Sequence, residues 1–191
     1  MPETFKSLQS ELKNDSIKVV DTDYEFNGRK YLASFSYESS ISGKRPGIIV
    51  IPEWWGLNDY VKTRAKMLAA LGYGALAIDV FGNGDTANNP TEAMAFTKPY
   101  YGDPNLVKQI IGTALSKLKT FPQVDTSRVG IIGYCFGGYS AITAGVLGAD
   151  VKAVVGFHPS LGGINPEKNI KAKVLVCAGG DDQFELSHFD P

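Results

Sequence analysis

The sequence predicts an α/β fold: a three-layer sandwich around a mainly parallel sheet, opened by an antiparallel hairpin. Three observations carry this. Short continuous apolar runs, such as "GIIVIP" from Gly47, read as strands buried on both faces. After the opening hairpin, such runs alternate with helical stretches. Clusters of Gly, Asn, Asp and Pro, such as "FGNGDTANNP", punctuate the order.

Each element follows from local chemistry. "IKVVDTDYEF" and "RKYLASFSY" are β-rich runs on either side of Asn27-Gly28. Both turn residues tolerate positive φ, so a two-residue type I′ hairpin is expected. "ISGKRP" is a loop and "GIIVIP" a buried strand. Asn58 or Asp59 caps the helix "YVKTRAKMLAALG", which ends near Gly72. "YGALAIDV" is the next strand, and "FGNGDTANNP" a loop. "DPNLVKQIIGTALSKLKTF" is a helix with Pro104 suited to its first turn. "RVGIIGY" is a strand, "YSAITAGVLG" a helix, and "VKAVVGF" and "AKVLVCAG" are strands.

Composition bounds the function. The chain has 191 residues, enough for one domain over 1–191 with a sizeable core. A net charge of -1 excludes the basic balance of a nucleic-acid binder. "MPETFKSLQSELKNDS" lacks the apolar core of a signal peptide. No apolar run approaches the roughly 20 residues that span a bilayer, so no membrane partner is expected. Two cysteines, Cys135 and Cys177, make no disulfide framework, which points to a reducing compartment, the cytoplasm. No metal or organic cofactor is implied, and the oligomeric state is not encoded legibly.

The chemistry-bearing residues sit after strands, where open α/β sheets bind ligands. Gly133-Tyr134-Cys135-Phe136-Gly137 has the G-x-S-x-G spacing of a nucleophile elbow, with Cys for Ser. The glycines leave room for a turn that lifts the sulfur off the sheet. The following helix presents its positive end to Cys135, which favours a thiolate. The Phe136 N–H then faces an oxyanion. The bland alternative is an inert cysteine beside glycines that help a helix pack. Cys177, inside "KVLVCAG", reads as core packing. In "AGGDDQF", counting G-x-x-D from Gly179 selects Asp182 over Asp181 as a carboxylate that orients a histidine, the alternative being an Asp-rich turn. In "IPEWWGLND" the Trp54 N–H is a candidate second oxyanion donor. Glu53 is either a solvated acid or a carboxylate that controls the protonation of Cys135. Trp54, Trp55 and Phe136 are candidate pocket walls. The chain has two histidines, His158 in "GFHPS" and His188 in "SHFDP", and both compete for the role of base.

Together "GYCFGG", "PEWWGLND" and "VLVCAGGDD" make the chain resemble the dienelactone hydrolase family of α/β-hydrolases. The resemblance implies that fold and a Cys–Asp–His triad acting on lactones and esters. Matched motif by motif, Cys135 falls on the nucleophile, Asp182 on the acid, and Trp54 and Phe136 on the oxyanion donors. Glu53 falls on the glutamate that holds the thiol neutral until substrate arrives. Where dienelactone-processing members carry a carboxylate-binding arginine, this chain has Asn83. Family members also continue past the acid with a helix, a last strand and a loop bearing the histidine, commonly as H-x-F. Here "SHFDP" begins five residues after Asp182 and the sequence stops nine residues after it, so that last strand and loop are expected to be missing or displaced. His188 follows the acid in the family's chain order and is assigned the base. His158 is assigned to the substrate pocket with Glu53 and Trp55.

The expectation is therefore a cysteine-dependent hydrolase of small esters or lactones working through an acyl-enzyme, with thioesters or other activated acyl compounds as a variant. The alternative of a different class is a non-catalytic protein that binds a small molecule or a partner on a shortened hydrolase scaffold.

Overall fold

A computed structural model describes residues 16–164 and 170–182. Its strands are β1 (Ile17–Phe26), β2 (Arg29–Glu38), β3 (Arg45–Ile51), β4 (Gly74–Ile78), β5 (Val124–Tyr134), β6 (Ala153–Phe157) and β7 (Lys173–Cys177). Its helices are α1 (Asp59–Ala70), α2 (Pro90–Gly102), α3 (Pro104–Leu118) and α4 (Phe136–Val146).

The strands form one seven-stranded sheet in the order β1-β2-β4-β3-β5-β6-β7. β1 pairs antiparallel with β2, and β2 with β4. Every later pairing, from β4–β3 to β6–β7, is parallel. The hairpin turns at Asn27 (φ 50°) and Gly28 (φ 73°), the two positive values that a type I′ turn requires. The chain thus has the mainly parallel α/β sheet, opened by an antiparallel hairpin, that the sequence implies.

Strand alternation sends side chains to two layers. Ile49, Ile51, Leu76, Ile78 and Ile131 join a core with Ile110, Ile111 and Leu118 of α3 and Ile142 of α4. Val50, Ala75 and Ala77 face Val61 and Ala65 of α1 in a second, smaller cluster. Burying each large aliphatic chain of this kind contributes about 1.5–3 kcal/mol. α1 starts at Asn58, whose side chain accepts from the N–H groups of Tyr60 and Val61.

Two expectations change. Residues 90–102 form a helix where none was read. Asn89 accepts from Glu92 N–H, and Pro90 occupies the first turn. Cover on both faces does not extend to β7 among the described residues, where Val174 and Leu175 are exposed. α4 packs on β5 and β6, and α1 on β2 and β4.

Candidate active site

Four strands that are neighbours in the sheet, β3, β5, β6 and β7, each end in a candidate residue. The register pairs Ile51 with Gly133, Tyr134 with Phe157, and Phe157 with Cys177. The residues just beyond these pairs belong to the Glu53–Trp55 loop, Cys135, His158 and the Asp182 turn. The ladder carries on past the strands. Cys135 N–H donates to Phe157 O at 2.8 Å, and His158 N–H donates to Cys177 O at 2.8 Å.

The elbow is sterically forced. Cys135 has φ 53° and ψ -116°, outside the regions that L residues favour. A Cβ on Gly133 would stand 1.9 Å from Gly137 O, and one on Gly137 would stand 2.4 Å from Pro52 O. On Gly138 it would meet Phe157 O at 3.0 Å. Only glycine lets β5 fold back into α4 while α4 presses on the exits of β3 and β6. His158 is the second site residue with a left-handed backbone, at φ 52°.

His158 Nε2 lies 2.5 Å from Asp182 Oδ2. The imidazole is 54% exposed, whereas the carboxylate side chain is 19% exposed. The structure therefore brings together Asp182 and His158, the histidine that the sequence reading put in the substrate pocket. His188 lies outside the described residues.

Trp54 and Trp55 meet edge-on at 5.2 Å between centroids, and both are half-buried. The Phe136 ring is a correction. It is 1% exposed and packs among Phe81, Tyr100 and Tyr101, so it cannot wall an open crevice. The elbow lifts residue 135 away from the sheet and turns the next side chain down into the core. Cys177 also departs from expectation, being only partly buried on β7. The two cysteines are not joined in a disulfide.

Below the elbow Tyr134 stacks on Phe157 at 5.3 Å and meets Tyr60 edge-on. The Arg64 guanidinium lies over both tyrosine rings. Burial pushes the Tyr134 phenol above its ordinary value, opposed by Arg64 and reinforced by Tyr60 and Glu53. A cavity of about 360 Å³ lies at the other end of the sheet, against Pro46, Arg128, Gly130 and Lys152. It holds none of the site residues.

Among the described residues no cluster of His, Cys, Asp and Glu suits a metal ion, and no helix is long and apolar enough to cross a membrane.

Residues 32–187 match the profile of the Dienelactone hydrolase family. The chain is 29% identical over 154 residues to "Putative carboxymethylenebutenolidase" of Methylorubrum extorquens, covering 74% of this chain and 53% of that one. It is 29% identical over 150 residues to "Probable 2-oxo-3-(5-oxofuran-2-ylidene)propanoate lactonase" of a Bradyrhizobium species, covering 77% and 58%. The solved structure of m3DLH superposes with a TM-score of 0.83 at 32% identity, over 88% of this chain and 71% of that one. The chain spans a little over half the length of these two curated relatives. With the elbow, the neighbouring strand exits and the profile match in agreement, the chain belongs to the dienelactone hydrolase family.

Proposed function

We propose that the protein is a cysteine-dependent hydrolase of small esters or lactones that works through an acyl-enzyme on Cys135. The observation that carries the proposal is the glycine-forced elbow at Cys135, one strand from the His158–Asp182 pair. The names of its relatives, a putative carboxymethylenebutenolidase and a probable lactonase, agree with hydrolysis of lactones and esters.

The Cys135 thiolate, at the positive end of α4, attacks the carbonyl carbon. The Trp54 and Phe136 N–H groups hold the oxyanion. The alkoxide leaves with a proton from the imidazolium, giving a thioester. The neutral imidazole then takes a proton from water, whose oxygen attacks the thioester and releases the acid and the thiolate. His158 is the base in this reading, because Asp182 holds it. With Nε2–H given to Asp182, Nδ1 is the ring atom that exchanges protons. His188 is the competing base.

Glu53 acts near the thiol before substrate arrives, and Trp54 and Trp55 wall the acyl site. Neither organic cofactor nor metal takes part in this scheme. A reducing compartment such as the cytoplasm, which keeps the thiol usable, fits it. One domain over 1–191 carries the site in this reading.

The test is hydrolysis of p-nitrophenyl acetate and a simple γ-lactone by the 191-residue chain and its Cys135→Ala variant. Turnover that vanishes in the variant, with an acetyl mass adduct on Cys135 in the parent, supports the reading. Turnover that survives the variant rules out the thiol mechanism. Binding without turnover in the parent leaves a non-catalytic role.

A further inference from the structure

We infer that Asp79 is a positioning residue for the oxyanion site: its buried carboxylate fixes the loop after β4 against which both proposed donors rest. The inference depends on the hydrolase reading above and adds a residue with no exposed surface, out of reach of substrate.

Asp79 follows β4 directly. Its Oδ1 accepts from the N–H groups of Phe81 at 2.8 Å and Gly82 at 3.0 Å. Its Oδ2 accepts from Gly84 N–H at 2.9 Å and from Leu32 N–H at 3.4 Å. Four donors on one group call for an acceptor-only carboxylate. Converging backbone N–H groups make a concavity suited to an anion, and this chain fills it with its own side chain. The Tyr24 and Tyr100 hydroxyls hold the same loop by donating to Asp79 O and Val80 O.

The loop so fixed touches the two residues that follow Trp54 and the ring of Phe136. Ala87 N–H donates to Trp55 O at 3.1 Å. Asp85 O lies so close to Gly56 that a Cβ there would stand 2.7 Å away. Trp54 is therefore held through the two residues that follow it. On the other side, the Phe81 ring stacks on the Phe136 ring at 5.8 Å. The carboxylate that sets the Phe81 backbone also sets the floor under Phe136.

Asp79→Asn tests this. The amide replaces one acceptor with an NH2 that faces backbone donors. Three readouts separate positioning from general damage. The chain has two tryptophans, Trp54 and Trp55, so its tryptophan emission reports the loop after β3 that carries the first donor. Iodoacetamide alkylation of Cys135 forms no oxyanion and reports the elbow alone. Ester turnover reports both.

In a folded Asp79→Asn protein, acrylamide access to the tryptophans should change. The kcat for p-nitrophenyl acetate should fall about a hundredfold, as for a reacting group displaced by roughly 1 Å. KM and the alkylation rate of Cys135 should stay within about twofold. Tyr100→Phe, a milder change, should move emission and kcat the same way by a smaller factor. If Asp79→Asn does not fold, Tyr100→Phe decides. Unchanged tryptophan emission and access in a folded variant overturn the inference whatever the activity. So does a kcat loss matched by the alkylation rate. Loop changes in a parent lacking Cys135-dependent turnover would sink the hydrolase reading and leave the loop's anchoring by Asp79 standing.

Discussion

His158 Nε2 and Asp182 Oδ2 stand 2.5 Å apart because β6 and β7 are neighbours. The contact makes a clear prediction about the base. His158→Ala should lower ester turnover at least about a hundredfold with the fold intact, the usual range for a lost general base. His188→Ala should lower it by less than about threefold on the same reasoning. The opposite ranking in steady-state kcat moves the base to His188.

Cys135 and Cys177 are both only partly buried, so exposure does not separate them. The elbow does. Limiting iodoacetamide, mapped by mass spectrometry, should label Cys135 first. Faster labelling of Cys177 would remove Cys135 from the nucleophile's role.

Two glycine substitutions should act in opposite directions. Gly137→Ala puts a Cβ against Pro52 O and Ile51 O, both backbone atoms that cannot step aside. It should destabilise the fold by about 1–3 kcal/mol and abolish turnover. Gly112→Ala, exposed in the middle of α3 with open space around its Cβ, should stabilise by about 0.5–1 kcal/mol. Urea denaturation midpoints measure both, and a destabilised Gly112→Ala would contradict the open site.

Asp125 gives a pH signature. Hydrogen bonds from Ser127 and the Arg128 guanidinium lower its carboxyl to about 2. The unfolded value is about 3.9, so this contribution is complete above about pH 4 and is lost as pH falls through about 2. NMR titration should show the low midpoint. Asp125→Asn should flatten the acid limb of stability in that window.

Much of this was written in local chemistry. Asn27-Gly28, Asn58 and the Gly133–Gly138 spacing each specify a backbone geometry within a few residues, and each geometry is present. What escaped lies in contacts between distant segments. Chain order favoured His188, whereas the His158–Asp182 contact comes from strand adjacency. The inward Phe136 ring needed the core in view. α2 escaped because it carries a proline, Pro99, in its interior and Met94 and Tyr101 are exposed. Its signal was the cap Asn89-Pro90-Thr91-Glu92. Asp79, followed by glycines three and five residues on, passed as part of an ordinary strand and loop.

Position 135 sets folding against chemistry. Glycine would adopt φ 53°, ψ -116° freely, whereas any other residue there costs of order 1–3 kcal/mol. Cys135→Gly should therefore give a protein that is inert yet melts at a higher temperature. Left to drift under selection for stability alone, this seat would lose its side chain. Under the proposed mechanism that strain is the cost of holding a thiol at the elbow, where stability alone would favour a bare glycine.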